Sequence, residues 1–136
     1  PTLALRHSKC LSADVNAAMD PTFQDVMERK NASFLNYGVV VTKYTGARGK
    51  SSTSDASAEY VAEVRALLDR ENIVWQMGEM GKVDIGGGGT VAMFVANMGV
   101  DVVDLGVPVL SMHAPFETTA KFDVYMCYRA MYEFMK

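Results

Sequence analysis

Gly38-Val-Val-Val-Thr-Lys-Tyr44 is a β-branched apolar run, and its place between a polar stretch and a helical one decides the fold. Three consecutive valines bounded by Gly38 and polar residues predict a strand. Residues 45–53, rich in Gly, Lys, Arg and Ser, read as a loop. Ser52 with Asp55 fits a capping box, and Val61, Val64, Leu67 and Leu68 recur at helical spacing through about Asn72. Ile73 to Met77 then reads as the next strand. Working outward, residues 9–15 look like a short strand. Residues 22–36, with Pro21 as a breaker, look like a loop with a turn of helix. The run Gly86–Gly89 opens a second predicted helix in which Val91, Phe94, Val95 and Met98 follow i, i+3, i+4, i+7 before Gly99 stops it. Val100–Leu105 and Val107–Met112 predict one bent strand or two short ones. Thr118 or Thr119 starts a last helix. This alternation predicts an α/β fold, a sheet with helices on both faces. The last helix is apolar on most sides (Phe122, Tyr125, Met126, Tyr128, Met131, Tyr132 among others), so it is expected to be buried between layers or against another chain.

The chain has 136 residues, one domain's worth, and nearly half of them are apolar. Net charge is −3 and is spread without blocks, so neither nucleic-acid binding nor attachment to an anionic membrane has support. No apolar run reaches the roughly 20 residues of a spanning helix. The opening residues lack a Met and a basic signal region, which reads as a chain entered mid-domain. Cys10 and Cys127 have no motif spacing and read as buried thiols in a reducing compartment, a disulfide being the alternative. The ten Met residues read as core filler.

Polar residues at strand ends are where α/β folds place their chemistry. Asp14 ends the first strand and His113 comes directly after the Val107–Met112 strand. A carboxylate and an imidazole suit Zn²⁺, whose catalytic sites take three protein ligands and keep one position open. The ordinary alternatives are a turn cap for Asp14 and a hydrogen-bonded, half-buried His113. With only His7 and His113 present, a self-contained His-rich site is excluded. The glycine run could hold an anion or a carbonyl oxygen on its N–H groups, or serve close strand–helix packing. It is no dinucleotide fingerprint, because the third glycine would fall at Val91. Tyr44-Thr-Gly-Ala-Arg-Gly-Lys-Ser51 is no phosphate-binding loop, because Tyr44 stands where its first glycine belongs. Lys43, Arg48 and Lys50 read either as contacts for a substrate backbone or carboxylate, or as solvated loop charges. No nucleophile elbow is present.

Four stretches then occur in one order: Ser12-Ala-Asp-Val-Asn-Ala-Ala-Met-Asp-Pro21, Val41-Thr-Lys-Tyr-Thr-Gly-Ala-Arg-Gly-Lys-Ser51, Gly81-Lys-Val-Asp-Ile-Gly-Gly-Gly-Gly-Thr90 and Leu105-Gly-Val-Pro-Val-Leu-Ser-Met-His-Ala-Pro-Phe-Glu117. Together they resemble the C-terminal part of the aspartyl aminopeptidase and aminopeptidase I family of zinc metallopeptidases, particularly its bacterial members. The resemblance covers nearly the whole chain and implies that residues 1–136 are a C-terminal segment of the catalytic domain. It implies a site of two divalent metals, Zn²⁺ with Co²⁺ or Mn²⁺ as alternatives, that removes N-terminal amino acids from peptide substrates. Asp14 matches a ligand of one metal and His113 a ligand of the other. Gly86, Gly87, Gly88 and Met112 match the substrate pocket, and Lys43 matches a position near the substrate. It also implies a cytoplasmic homo-oligomer.

The family's first His ligand, bridging aspartate, adjacent Glu-Glu pair and inserted oligomerisation domain have no counterpart here, since no Glu-Glu occurs in the chain. No catalytic acid or base is therefore expected in this segment, and the chain alone is expected to be inactive. Two competing readings remain. One is a non-catalytic truncated paralogue that serves folding or assembly. The other is an anion- or nucleotide-binding domain using the glycine run.

Overall fold

The computed structural model describes residues 2–48 and 51–136. Its centre is the strand β6 (Asp101–Leu110), flanked by β1 (Lys9–Ala17) on one side and β2 (Val39–Thr42) on the other. The strand β5 (Trp75–Met77) lies beyond β2. The sheet is mixed: β1 runs parallel to β6, β2 antiparallel to β6, and β5 parallel to β2. A two-residue strand β7 (Thr118–Thr119) pairs with the end of β6. The two predicted pieces of β6 are thus one strand. Pro108, which cannot donate to a ladder, falls between the residues that pair with β2 (104–106) and those that pair with β7 (109–110).

Side chains alternate across the sheet, so its two faces differ in kind. Val39 and Val41 of β2 with Val103 and Leu105 of β6 join one apolar core. The helices α2 (Ala58–Arg70) and α4 (Lys121–Phe134) cover that core and touch each other. From α2 come Tyr60, Val61, Val64 and Leu68, and from α4 Met126 and Ala130. Burying a side chain such as Leu68, fully covered here, contributes about 1.5–3 kcal/mol. A buried carboxylate ties α4 down: Asp123, 0 % exposed, accepts from the backbone N–H groups of Asn36 and Gly38, both at 2.8 Å. The loop leading into β2 is fixed to the last helix by these two bonds.

Several expectations need correction. Ser52 and Asp55 do not cap a helix. They belong to β4 (Ser51–Asp55), which pairs antiparallel with β3 (Tyr44–Ala47) in a separate hairpin where a loop was expected. The helix cap is Ser57, whose Oγ accepts from the Tyr60 N–H at 3.2 Å. Thr118 and Thr119 lie in β7, so the last helix begins at Lys121. The glycine run opens no long helix. It is irregular, and the next helix α3 (Ala92–Ala96) has five residues. Its apolar stripe points outward, with Val91, Phe94 and Met98 exposed and Ala92 buried. Gly99 does end this segment, in the left-handed region at φ +84°.

The last helix is only half covered. Tyr125, Tyr128 and Tyr132 stack along its exposed side. The helix α1 (Thr2–Arg6) and a 3-10 turn at 24–26 complete the chain. Cys10 and Cys127 are free, half-buried thiols that burial pushes up from their ordinary pKa. Among the described residues no helix is long and apolar enough to cross a membrane.

Candidate active site

The polar face of the sheet opens into a cleft of about 500 Å³. From β1 it receives Ser12, Asp14, Val15 and Asn16; Thr42 of β2 and Asp104 and Gly106 of β6 lie beside them. Asn16 fastens this floor, donating to Thr42 Oγ1 and accepting from Ser33 Oγ, both at 2.9 Å. The register puts Asp14 opposite Gly106. A Cβ at 106 would lie 2.1 Å from the Asp14 carbonyl oxygen, so only glycine lets the backbone carry Asp14 to this place.

Loops close the cleft. The tip of the β3–β4 hairpin docks on the glycine run: the Arg48 N–H donates to the Gly86 carbonyl at 3.0 Å, and Gly89 lies against Ser52. A Cβ on Gly88 would meet the Met80 Cε at 2.4 Å, so the bare α-carbon gives Met80 room to lie across the run. Backbone in the left-handed region gathers here. Arg48, Ser52, Asp84, Ser111 and His113 all have positive φ, a conformation that costs a non-glycine residue free energy and clusters at functional sites. After β6 the chain turns sharply, with Ala114 N–H bonded to the Ser111 carbonyl and His113 N–H to Glu117 Oε1 at 2.5 Å. That turn presents His113 to the cleft.

Asp14, His113, Gly86, Gly87, Gly88 and Met112 therefore line one cleft, though they are spread over 100 residues of sequence. Lys43 is not among the lining residues, and its ammonium pairs with Asp55. Lys50 lies outside the described residues. Asp104 is an unexpected member. It is 7 % exposed, its Oδ2 accepts from Thr90 Oγ1 at 2.9 Å, and its Oδ1 is buried without a partner among the described residues. Burial pushes its carboxyl above the ordinary range, the Ser12 and Thr90 hydroxyls pull it back, and the charge of Asp14 adds to the rise. The signal in the sequence was a carboxylate inside an apolar strand, Val102-Val-Asp-Leu105.

Asp14 and His113 are donors of the right kind for zinc, and both are exposed to the cleft. Among the described residues, however, no three His, Cys, Asp or Glu side chains come together to hold an ion. A catalytic zinc takes about three protein ligands. The donors fit in type and fall short in number.

Comparison with known proteins gives a consistent picture. Residues 2–135 match the family model described as aminopeptidase I zinc metalloprotease (M18). A Clostridium acetobutylicum protein named "Probable M18 family aminopeptidase 1" is 52 % identical over 122 residues, covering 90 % of this chain and 26 % of its own length. Its Thermotoga maritima counterpart is 49 % identical over 132 residues, covering 95 % of this chain and 29 % of its own. The crystal structure of an M18-family aminopeptidase from Thermotoga maritima superposes with a TM-score of 0.95 at 47 % identity, over 99 % of this chain and 30 % of that one. The chain thus spans less than a third of the length of the relatives it matches.

Proposed function

This chain belongs to the aminopeptidase I zinc metalloprotease (M18) family, and on that premise we propose that it works as one part of a metal-dependent aminopeptidase that removes N-terminal amino acids from peptides. The observation that carries the reading is the convergence of Asp14 and His113 on one cleft beside the glycine run. In the complete site each would hold one of two divalent ions, Zn²⁺ first and Co²⁺ or Mn²⁺ as alternatives. When bound, such ions supply a water of lowered pKa as nucleophile. The chain's own contribution is positional. Gly106 places Asp14, the 111–114 turn places His113, and Gly86–Gly88 with Met80 and Met112 shape the space for the substrate.

The remaining ligands and the general base come from residues outside this chain, so the chain alone is inactive. The test is hydrolysis of a panel of aminoacyl anilides with added Zn²⁺, Co²⁺ or Mn²⁺ and with chelator. The chain alone should give none, and adding the preceding portion of an M18 relative should give chelator-sensitive turnover. Turnover by the isolated chain, freed of contaminating peptidase, would contradict the reading. So would a folded mixture that stays inert.

The working enzyme is a homo-oligomer in the cytoplasm. A yeast relative of this fold, mApe1, 22 % identical, is described as a dodecamer. A second reading, a non-catalytic assembly module, draws on the exposed tyrosine row of α4. It predicts no metal affinity at Asp14 or His113.

A further inference from the structure

The floor of the cleft holds a carboxylate that the proposed metal site does not use. Asp104 stands in β6 between Val103 and Leu105, both members of the apolar core, and the pleat turns it to the other face. It is buried and takes part in none of the ion pairs among the described residues. A buried carboxylate costs free energy unless hydrogen bonds or a counter-charge offset it. What Asp104 has is a hydroxyl: Thr90 Oγ1 donates to its Oδ2 at 2.9 Å. A carboxylate only accepts, so the single Thr90 proton goes to Asp104 and the Thr90 oxygen is left to accept. The Thr45 hydroxyl lies 3.5 Å from that oxygen, at the limit of a hydrogen bond.

The three residues come from three separate places in the fold. Asp104 belongs to the sheet, Thr90 directly follows the glycine run, and Thr45 belongs to β3 of the hairpin. Four successive glycines have more backbone freedom to lose than other residues, so a run of them needs anchors at its ends. At one end the Gly86 N–H donates to the Lys82 carbonyl at 2.8 Å, and the Arg48 N–H of the hairpin tip donates to the Gly86 carbonyl. At the other end Thr90 ties the run to the sheet through Asp104. We infer that Asp104 is a positioning residue of this site: acting through Thr90, it fixes the glycine run, and with it the hairpin, over the cleft. The inference rests on the aminopeptidase reading for what the run does, while the Asp104–Thr90 clasp is a property of the chain as it stands.

The experiment is amide hydrogen exchange on the full 136-residue chain. In Thr90→Val, which keeps the shape and loses the donor, exchange at Arg48 and Gly86 should accelerate about tenfold more than at Val64 of α2 and Ala130 of α4. Thr90→Ser restores the donor and should bring that difference back to within about threefold of the parent. Asp104→Leu should match Thr90→Val, and the two together should do no more than either alone, since they break one interaction. Should Asp104→Leu fail to fold, the Val and Ser pair at Thr90 still decides. In the completed enzyme, Thr90→Val should raise KM for an aminoacyl anilide about fivefold and leave kcat nearly unchanged, the mark of lost uniform binding. Acceleration spread evenly over core and cleft, no acceleration, failure of Thr90→Ser to restore the parent, or an unchanged KM would each overturn the inference. An inert completed parent, with the exchange pattern intact, would count against the aminopeptidase reading and not against the clasp.

Discussion

The two faces of the sheet are built by opposite rules. On the helix face, every inward residue of β2 and β6 is apolar and the helices above it supply matching apolar stripes. On the cleft face, the same strands present Thr42, Asp104 and Gly106, beside turns with left-handed backbone and the short helix α3, which packs on β6. One face is close-packed and gains its stability from burial. The other keeps an open space by means of glycines, strained turns and a carboxylate lacking a full set of partners.

The largest expected effect lies on the packed face. Leu68→Ala removes a fully buried side chain and should cost about 2–5 kcal/mol in urea unfolding. A loss well under 1 kcal/mol would mean that this face is not the source of stability. Asp123→Ala comes next, because it leaves the buried Gly38 N–H and the part-buried Asn36 N–H, just before β2, without their acceptor. Each such group costs about 1–3 kcal/mol, and hydrogen exchange at Asn36 and Gly38 should accelerate with it. On the open face, Asp14→Asn and His113→Asn should change stability by no more than about 0.5 kcal/mol, as expected of exposed positions, while removing activity from the completed enzyme. A large thermal shift from either would erase the contrast between the faces.

The smallest effect is a pH dependence. Burial holds the Asp104 carboxyl above its ordinary pKa, so the folded state binds its proton more readily than the unfolded chain does. Its contribution is fully present below the unfolded pKa and is lost as pH rises through the folded one. Asp104→Asn should therefore gain thermal stability relative to the parent as pH increases from the acid side to neutrality. A difference that stays flat, or that runs the other way, would contradict the assigned cause.

The legibility of the sequence divides along the same line. The strands around Val39–Val41 and in the 101–110 segment were legible as runs of buried apolar residues, and the helix carrying Val61 to Leu68 by its apolar period. The β3–β4 hairpin was not. Its Ser51-Ser-Thr-Ser-Asp55 strand is largely exposed and carries no apolar alternation, so it resembled a loop with a helix cap. The stripe from Val91 to Met98 misled for the opposite reason: its period is helical, but it faces outward and only one turn forms. Asp123 gave no signal, since its partners are backbone N–H groups 87 and 85 residues away. In the cleft, the motif resemblance pointed to Asp14, His113, Met112 and the glycines, which the fold gathers together. Met80 and Asp104 needed the packing of Gly88 and the strand register to show themselves. Lys43 sits beside the gathered residues in sequence but spends its charge on Asp55.

We propose that Asp14 and His113 are metal donors completed by ligands from outside this chain. This proposal is tested most directly by titrating Zn²⁺ into the chain and into its Asp14→Asn and His113→Asn variants, with heat and amide shifts as readouts. The account predicts weak binding centred on Asp14 and His113, reduced by each substitution and tightened when the preceding portion of an M18 relative is added. No binding at all, or binding that both substitutions leave unchanged, would contradict it.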